Sequence, residues 1–190
     1  MDAVTALRAG LPVLLPTDTV YGLAALPTEE AAARLYELKG RSTAQPTALL
    51  AAEVDALLAA VPELPRAPLD ALLPGPYTLV LPNPAGRFPW LTGGAPGPIG
   101  VRVPELPTLT RAVVSEVGLI LATSANDPGC PSPSTLADVP AHIRNGCGAE
   151  LDLGPLPGTP STVLDLTGAE PRVLREGAAP AAEAIARLRL

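Results

Sequence analysis

"LPVLLPTDTVYGL" (residues 11–23) decides how this sequence folds. Its first half is an apolar run closed by a proline, short enough for a buried strand. The polar residues Thr17, Asp18 and Thr19 then emerge at a strand end. Hydroxyls and backbone amides at strand ends suit phosphate and carboxylate oxygens, so the stretch reads as a strand that delivers a binding site.

Working outward, Thr28 can cap a helix through "EEAAARLYELK" (29–39), with Glu29 and Glu30 in its first turn and Ala31, Leu35 and Leu38 on one face. Gly40 is the natural stop. Lys39 and Arg41 therefore sit at a helix C-terminus, where a cation is favoured. Lys39 is the chain's single lysine, against twelve arginines.

Further strands are expected at "TALLA" (47–51), "YTLVLP" (77–82), "IGVRVP" (99–104), "LILATS" (119–124), "STVLDL" (161–166) and "RVLR" (172–175). Helices are expected at 53–60, 65–73, 107–117 and in the final "AAEAIARLRL". Some strand pairs lack an intervening helix, which predicts an α/β fold with a mixed sheet packed by helices. At 190 residues the chain is expected to form one domain, 1–190. Loops 83–98 and 125–134, rich in Pro and Gly, are candidate walls of a binding site.

Several chemistries are excluded. The only lysine follows Leu38 rather than a glycine, so a P-loop cannot be built, and no GxGxxG occurs. His142 is the sole histidine and sits in "VPAHIRNG", an ordinary helical setting, which removes multi-histidine metal sites. Cys130 and Cys147 form no CxxC pair and read as free thiols. A formal charge of −6 argues against an overall electrostatic grip on nucleic acid, leaving only a local basic cleft. No apolar run reaches the roughly 18 residues of a membrane span, and the start "MDAVTALRAG" shows no secretory pattern, so a cytoplasmic protein is expected.

What remains is a series of short strings rich in Thr, Ser and single arginines: "PTDTVYGL" (16–23), "KGRSTAQP" (39–46), "PGPYTLVL" (74–81), "VRVP" (101–104), "TSANDPGCPSPST" (123–135), "STVLD" (161–165) and "RVLREG" (172–177). Together they suggest an anionic ligand. In this order they resemble the YrdC-type domain, the family of threonylcarbamoyl-AMP synthases also called TsaC, from about Leu11 to Gly177.

The resemblance implies a single YrdC-like domain, a twisted mixed sheet packed by helices around a concave, positively charged cleft. It implies an enzyme that condenses L-threonine, bicarbonate or CO2 and ATP into threonylcarbamoyl-AMP and pyrophosphate. That product supplies separate tRNA-modifying partner proteins. By motif match, Lys39 and Arg41 would contact the ATP phosphates and carry the reaction, with Ser124, Asn126, Ser132 and Arg175 completing the nucleotide site. Thr19, Arg102 and Ser161 would hold threonine, Arg102 through its carboxylate. Thr78 lies in a matching motif, and Asp18 is a candidate group behind the site. Mg2+ would travel on the phosphates, with no protein metal site.

The sequence departs from the family pattern at Gln45, where a second lysine is usual, and at Thr47-Ala48, where the strand usually starts with aliphatic residues. The alternative is a non-catalytic YrdC-like module that grips structured RNA or tRNA through the cleft; aromatics at 3% give it few stacking platforms. The YrdC-like domain of hydrogenase maturation proteins is a further relative, but it belongs to a larger chain with zinc-finger cysteines.

Overall fold

In a computed structural model describing residues 1–40, 47–92 and 97–189, the opening stretch forms a strand as expected, β1 (Val13–Pro16), and then reverses at once into a second one, β2 (Tyr21–Ala25). The turn between them closes on Thr17. Its Oγ1 donates to Val20 O at 2.8 Å and accepts the amides of Thr19 and Val20, both at 3.3 Å. A hydroxyl that bonds its own backbone two or three residues on replaces the turn's missing backbone partners.

Nine strands form one mixed sheet in the order β7-β1-β2-β6-β3-β5-β4-β8-β9 among the described residues. They are completed by β3 (Ala48–Ala51), β4 (Tyr77–Leu81), β5 (Ile99–Arg102), β6 (Leu119–Ser124), β7 (Ala149–Glu150), β8 (Thr162–Asp165) and β9 (Arg172–Arg175). The β1/β7, β3/β5 and β4/β8 pairs are parallel and the remaining pairs antiparallel. Among the described residues seven helices pack against it: α1 (Ala3–Arg8), α2 (Glu29–Leu38), α3 (Val54–Ala60), α4 (Arg66–Leu72), α5 (Thr108–Val117), α6 (Ala141–Asn145) and α7 (Ala181–Leu188). Short 3-10 turns occur at Pro89–Thr92, inside the expected loop 83–98, and at Leu136–Asp138.

Alternate residues of the same strands feed two apolar clusters. Leu14, Leu49 and Leu121 face one, while Val13, Leu15, Leu50 and Ile120 face the other. Both faces are buried, which is why these strands read as continuous apolar runs rather than alternating ones. Thr28 caps α2 as predicted, accepting the Ala31 amide at 3.3 Å.

Both cysteines are free, Cys130 exposed and Cys147 partly buried. Burial, reinforced by Glu150, pushes the Cys147 thiol up to about 12. The thiolate is the reactive form. At pH 8 a soluble maleimide is therefore expected to label Cys130 quickly and spare Cys147 until the protein is unfolded, which peptide mass mapping would reveal.

Candidate active site

The sheet carries a cleft of about 490 Å3. Its floor includes Ala48 and Ala122, which pair across β3 and β6. They lie two residues from Leu50 and Ile120 and so share the face of the second apolar cluster. Small side chains keep this floor open while the walls carry the chemistry.

One wall is the β1-β2 turn. Thr17 and Thr19 line the cleft, their hydroxyls 3.2 Å apart. Asp18, between them, faces Arg102 at the end of β5: Arg102 Nη2 donates to Asp18 Oδ1 at 2.9 Å, with side chains only 11% and 10% exposed. Asp18 Oδ2 and Arg102 Nε are buried without hydrogen-bond partners. Burial lowers the Arg102 pKa, opposed by the Asp18 carboxylate. The guanidinium thus lines the cleft with bonding capacity unspent, and Asp18 holds it from behind.

A second wall joins α2 to the end of β6. Lys39 ends α2 in backbone terms, yet it is buried and its ammonium donates to Ser124 O, to Asn126 O and, at 3.0 Å, to Asn126 Oδ1. Ser124 Oγ donates to the same Asn126 Oδ1 at 2.5 Å. Asn126 Nδ2 in turn donates to the carbonyls of Asp127 (3.0 Å) and Cys130 (2.5 Å), folding the loop over.

The third wall is β4, β8 and β9. Thr78 and Ser161 hydroxyls lie 2.8 Å apart. Arg175 donates to Ser161 O through Nε (3.0 Å) and Nη2 (2.8 Å), and to Ser161 Oγ at 3.2 Å. Its pKa is lowered by burial of the guanidinium and by the nearby Arg102. Two guanidiniums that repel each other across one cleft gain from an anion placed between them.

Gly177 makes this wall possible. A Cβ there would stand 2.3 Å from Pro160 O and 2.5 Å from the Ser161 carbonyl carbon. Gly177→Ala is expected to push Ser161 off its partners and cost about 1–3 kcal/mol of stability by overpacking, measured by denaturant unfolding.

The cleft therefore gathers Thr19, Lys39, Thr78, Arg102, Ser124, Asn126, Ser161 and Arg175 from eight points along the chain. Ser132, in the loop 125–134, does not line it; the next residue, Pro133, accepts the Tyr21 amide at 3.0 Å. Arg41 and Gln45 lie outside the described residues. The motif match gave no role to Thr17, which stands in the TDT string at the strand end and lines the cleft. It also passed over Thr47 as a lining residue, although the departure at that position marked it; its hydroxyl is buried without a partner.

The profile of the Sua5/YciO/YrdC family, described as telomere recombination, matches residues 5–177. A Chromohalobacter salexigens protein named threonylcarbamoyl-AMP synthase is 38% identical over 175 residues, covering 89% of this chain and 93% of that one. The structure of Pyrococcus abyssi Sua5 complexed with L-threonine superposes with a TM-score of 0.81 at 33% identity, over 95% of this chain and 54% of that one, so the chain spans about half its length. The Escherichia coli YciO fold superposes with a TM-score of 0.84 at 24% identity, covering 96% and 90% of the two chains. The chain belongs to the Sua5/YciO/YrdC family.

Proposed function

We propose that this chain is a threonylcarbamoyl-AMP synthase, a nucleotidyltransferase acting as one domain over residues 1–190. The observation that carries the reading is the buried Arg102, held by Asp18 and facing Arg175 across a hydroxyl-lined cleft that also takes in Lys39. Relatives named for this activity, and one solved with L-threonine, support it.

Arg102 takes the threonine carboxylate through its fork, with Thr19 and Ser161 at the amino acid's polar groups. The threonine amine adds to CO2 and loses a proton to give a carbamate. A carbamate oxygen then attacks the α-phosphorus of ATP, the bond to the β-phosphate oxygen breaks, and pyrophosphate leaves. Such a step gains from positioning and from neutralising phosphate charge. Lys39, Arg41 and Arg175 supply that charge, and Ser124 and Asn126 supply hydrogen bonds. Mg2+ enters on ATP. The lining offers hydroxyls and cations, and among the described residues no three His, Cys, Asp or Glu side chains gather to hold a metal. This donor set suits phosphate oxygens.

The product passes to separate tRNA-modifying proteins in the cytoplasm. No helix among the described residues is long and apolar enough to cross a membrane. Pyrophosphate release by the purified protein tests the reading: it is expected to require threonine and bicarbonate together with ATP. Release that ignores threonine would contradict it.

A further inference from the structure

We infer that Tyr21 is a positioning residue for the amino-acid half of the cleft, acting through the irregular segment 151–160 that leads into Ser161; this rests on the functional reading above. Tyr21 is fully buried in β2, two residues after Thr19, and does not itself line the cleft. Its ring belongs to the core and its hydroxyl reaches across to "DLG" (152–154).

There the phenol oxygen lies 2.9 Å from Asp152 Oδ1 and 2.8 Å from Gly154 O, two acceptors around its single hydrogen, and it accepts the Leu153 amide at 3.1 Å. Asp152 Oδ1 also accepts the Gly154 amide at 2.9 Å. Burial raises the phenol's pKa, so it remains a donor at neutral pH.

Two more bonds fix the same segment. The Leu156 amide donates to Ser134 O at 2.8 Å, and the Gly158 amide donates to Thr19 O at 2.9 Å. Segment 151–160 is thus tied to the β1-β2 turn twice, at the Tyr21 hydroxyl and at the Thr19 carbonyl. It delivers Ser161 three residues after the second tie. Thr19 and Ser161 stand on different walls, and a buried hydroxyl that touches neither fixes the spacing between them. Backbone without helix or strand partners gains its order from such side-chain bonds.

Tyr21→Phe keeps the ring in the core and removes only the tie. Titration calorimetry of the full chain with L-threonine and with ATP separately is expected to show threonine binding weakened about tenfold or more, the loss of roughly one buried hydrogen bond, and ATP binding changed less than about twofold. Asp152→Ala leaves the phenol its bonds to Gly154 O and from the Leu153 amide, so it should weaken threonine binding in the same direction but less, and the double variant should be no worse than Tyr21→Phe. Hydrogen exchange at Leu153, Leu156 and Gly158 should accelerate in Tyr21→Phe. Unchanged threonine affinity, or equal weakening toward both ligands, overturns the inference. Wild-type protein that binds no threonine contradicts the functional reading instead, and exchange left unchanged in Tyr21→Phe then overturns the tie on its own.

Discussion

Arg102→Ala is expected to lose threonine-dependent synthesis by a factor of about 1,000 or more, because truncating one partner of a buried, hydrogen-bonded charge pair costs several kcal/mol. The same change strands Asp18, whose side chain is about as buried as that of Arg102. Removing one member of a buried ion pair destabilises by about 3–5 kcal/mol, since the remaining charge keeps its desolvation cost. The two effects separate in a second variant. Adding Asp18→Asn to Arg102→Ala removes the stranded charge and should recover most of the unfolding free energy, with no recovery of synthesis. Arg102→Lys keeps a charge but not the planar fork, and should bind threonine with intermediate affinity. Denaturant unfolding and steady-state kinetics on the four proteins check this. Full activity in Arg102→Ala would remove the carboxylate anchor from the account.

Lys39→Ala is expected to reduce synthesis by about 100- to 1,000-fold, the usual cost of losing one preorganised group that stabilises developing charge. Here the nucleotide side fails first. The buried ammonium holds the carbonyls of Ser124 and Asn126 together, so its loss frees the end of β6 and the start of the loop after it, where the proposed nucleotide contacts Ser124 and Asn126 lie. ATP affinity should fall while threonine affinity stays near wild type, the converse of Arg102→Ala. Lys39→Arg retains charge, but its broad, flat fork replaces a compact ammonium on a flexible stem. It should bind ATP yet turn over at least about tenfold more slowly, roughly 1.4 kcal/mol of barrier. Equal turnover in Lys39→Arg would reduce the lysine to a helix-end cation.

Much of this was legible in the sequence because the signals were local. Apolar runs bounded by proline gave β1, β3, β4 and β5, and the run that opens after Gly118 gave β6. The cap at Thr28 gave α2, and the strings at strand ends named most of the cleft. The strand β2 escaped because "YGLAA" has a glycine and two alanines, poor strand formers alone; it becomes a strand by burial between β1 and β6 on all five residues. Helix α1 escaped although Asp2 caps it, accepting the Thr5 amide at 2.9 Å, because six residues carry too little periodicity to read. β7 is two residues long and forms only beside β1. In the site, the pairing of Asp18 with Arg102, 84 residues apart, depends on which strands are neighbours, and no spacing records that. Ser132 shows the converse: its motif matches the family, while its loop turns Pro133 toward Tyr21 and leaves it outside the lining.

The measurement that tests the account most directly is mass spectrometric detection of threonylcarbamoyl-AMP from purified protein given ATP, Mg2+, L-threonine and 13C-labelled bicarbonate, with each substrate omitted in turn. The account predicts a product that carries the label, requires all three substrates and disappears in Arg102→Ala and Lys39→Ala. No labelled product from wild-type protein that binds both ATP and threonine would contradict it, and protein that binds neither would leave the cleft to structured RNA.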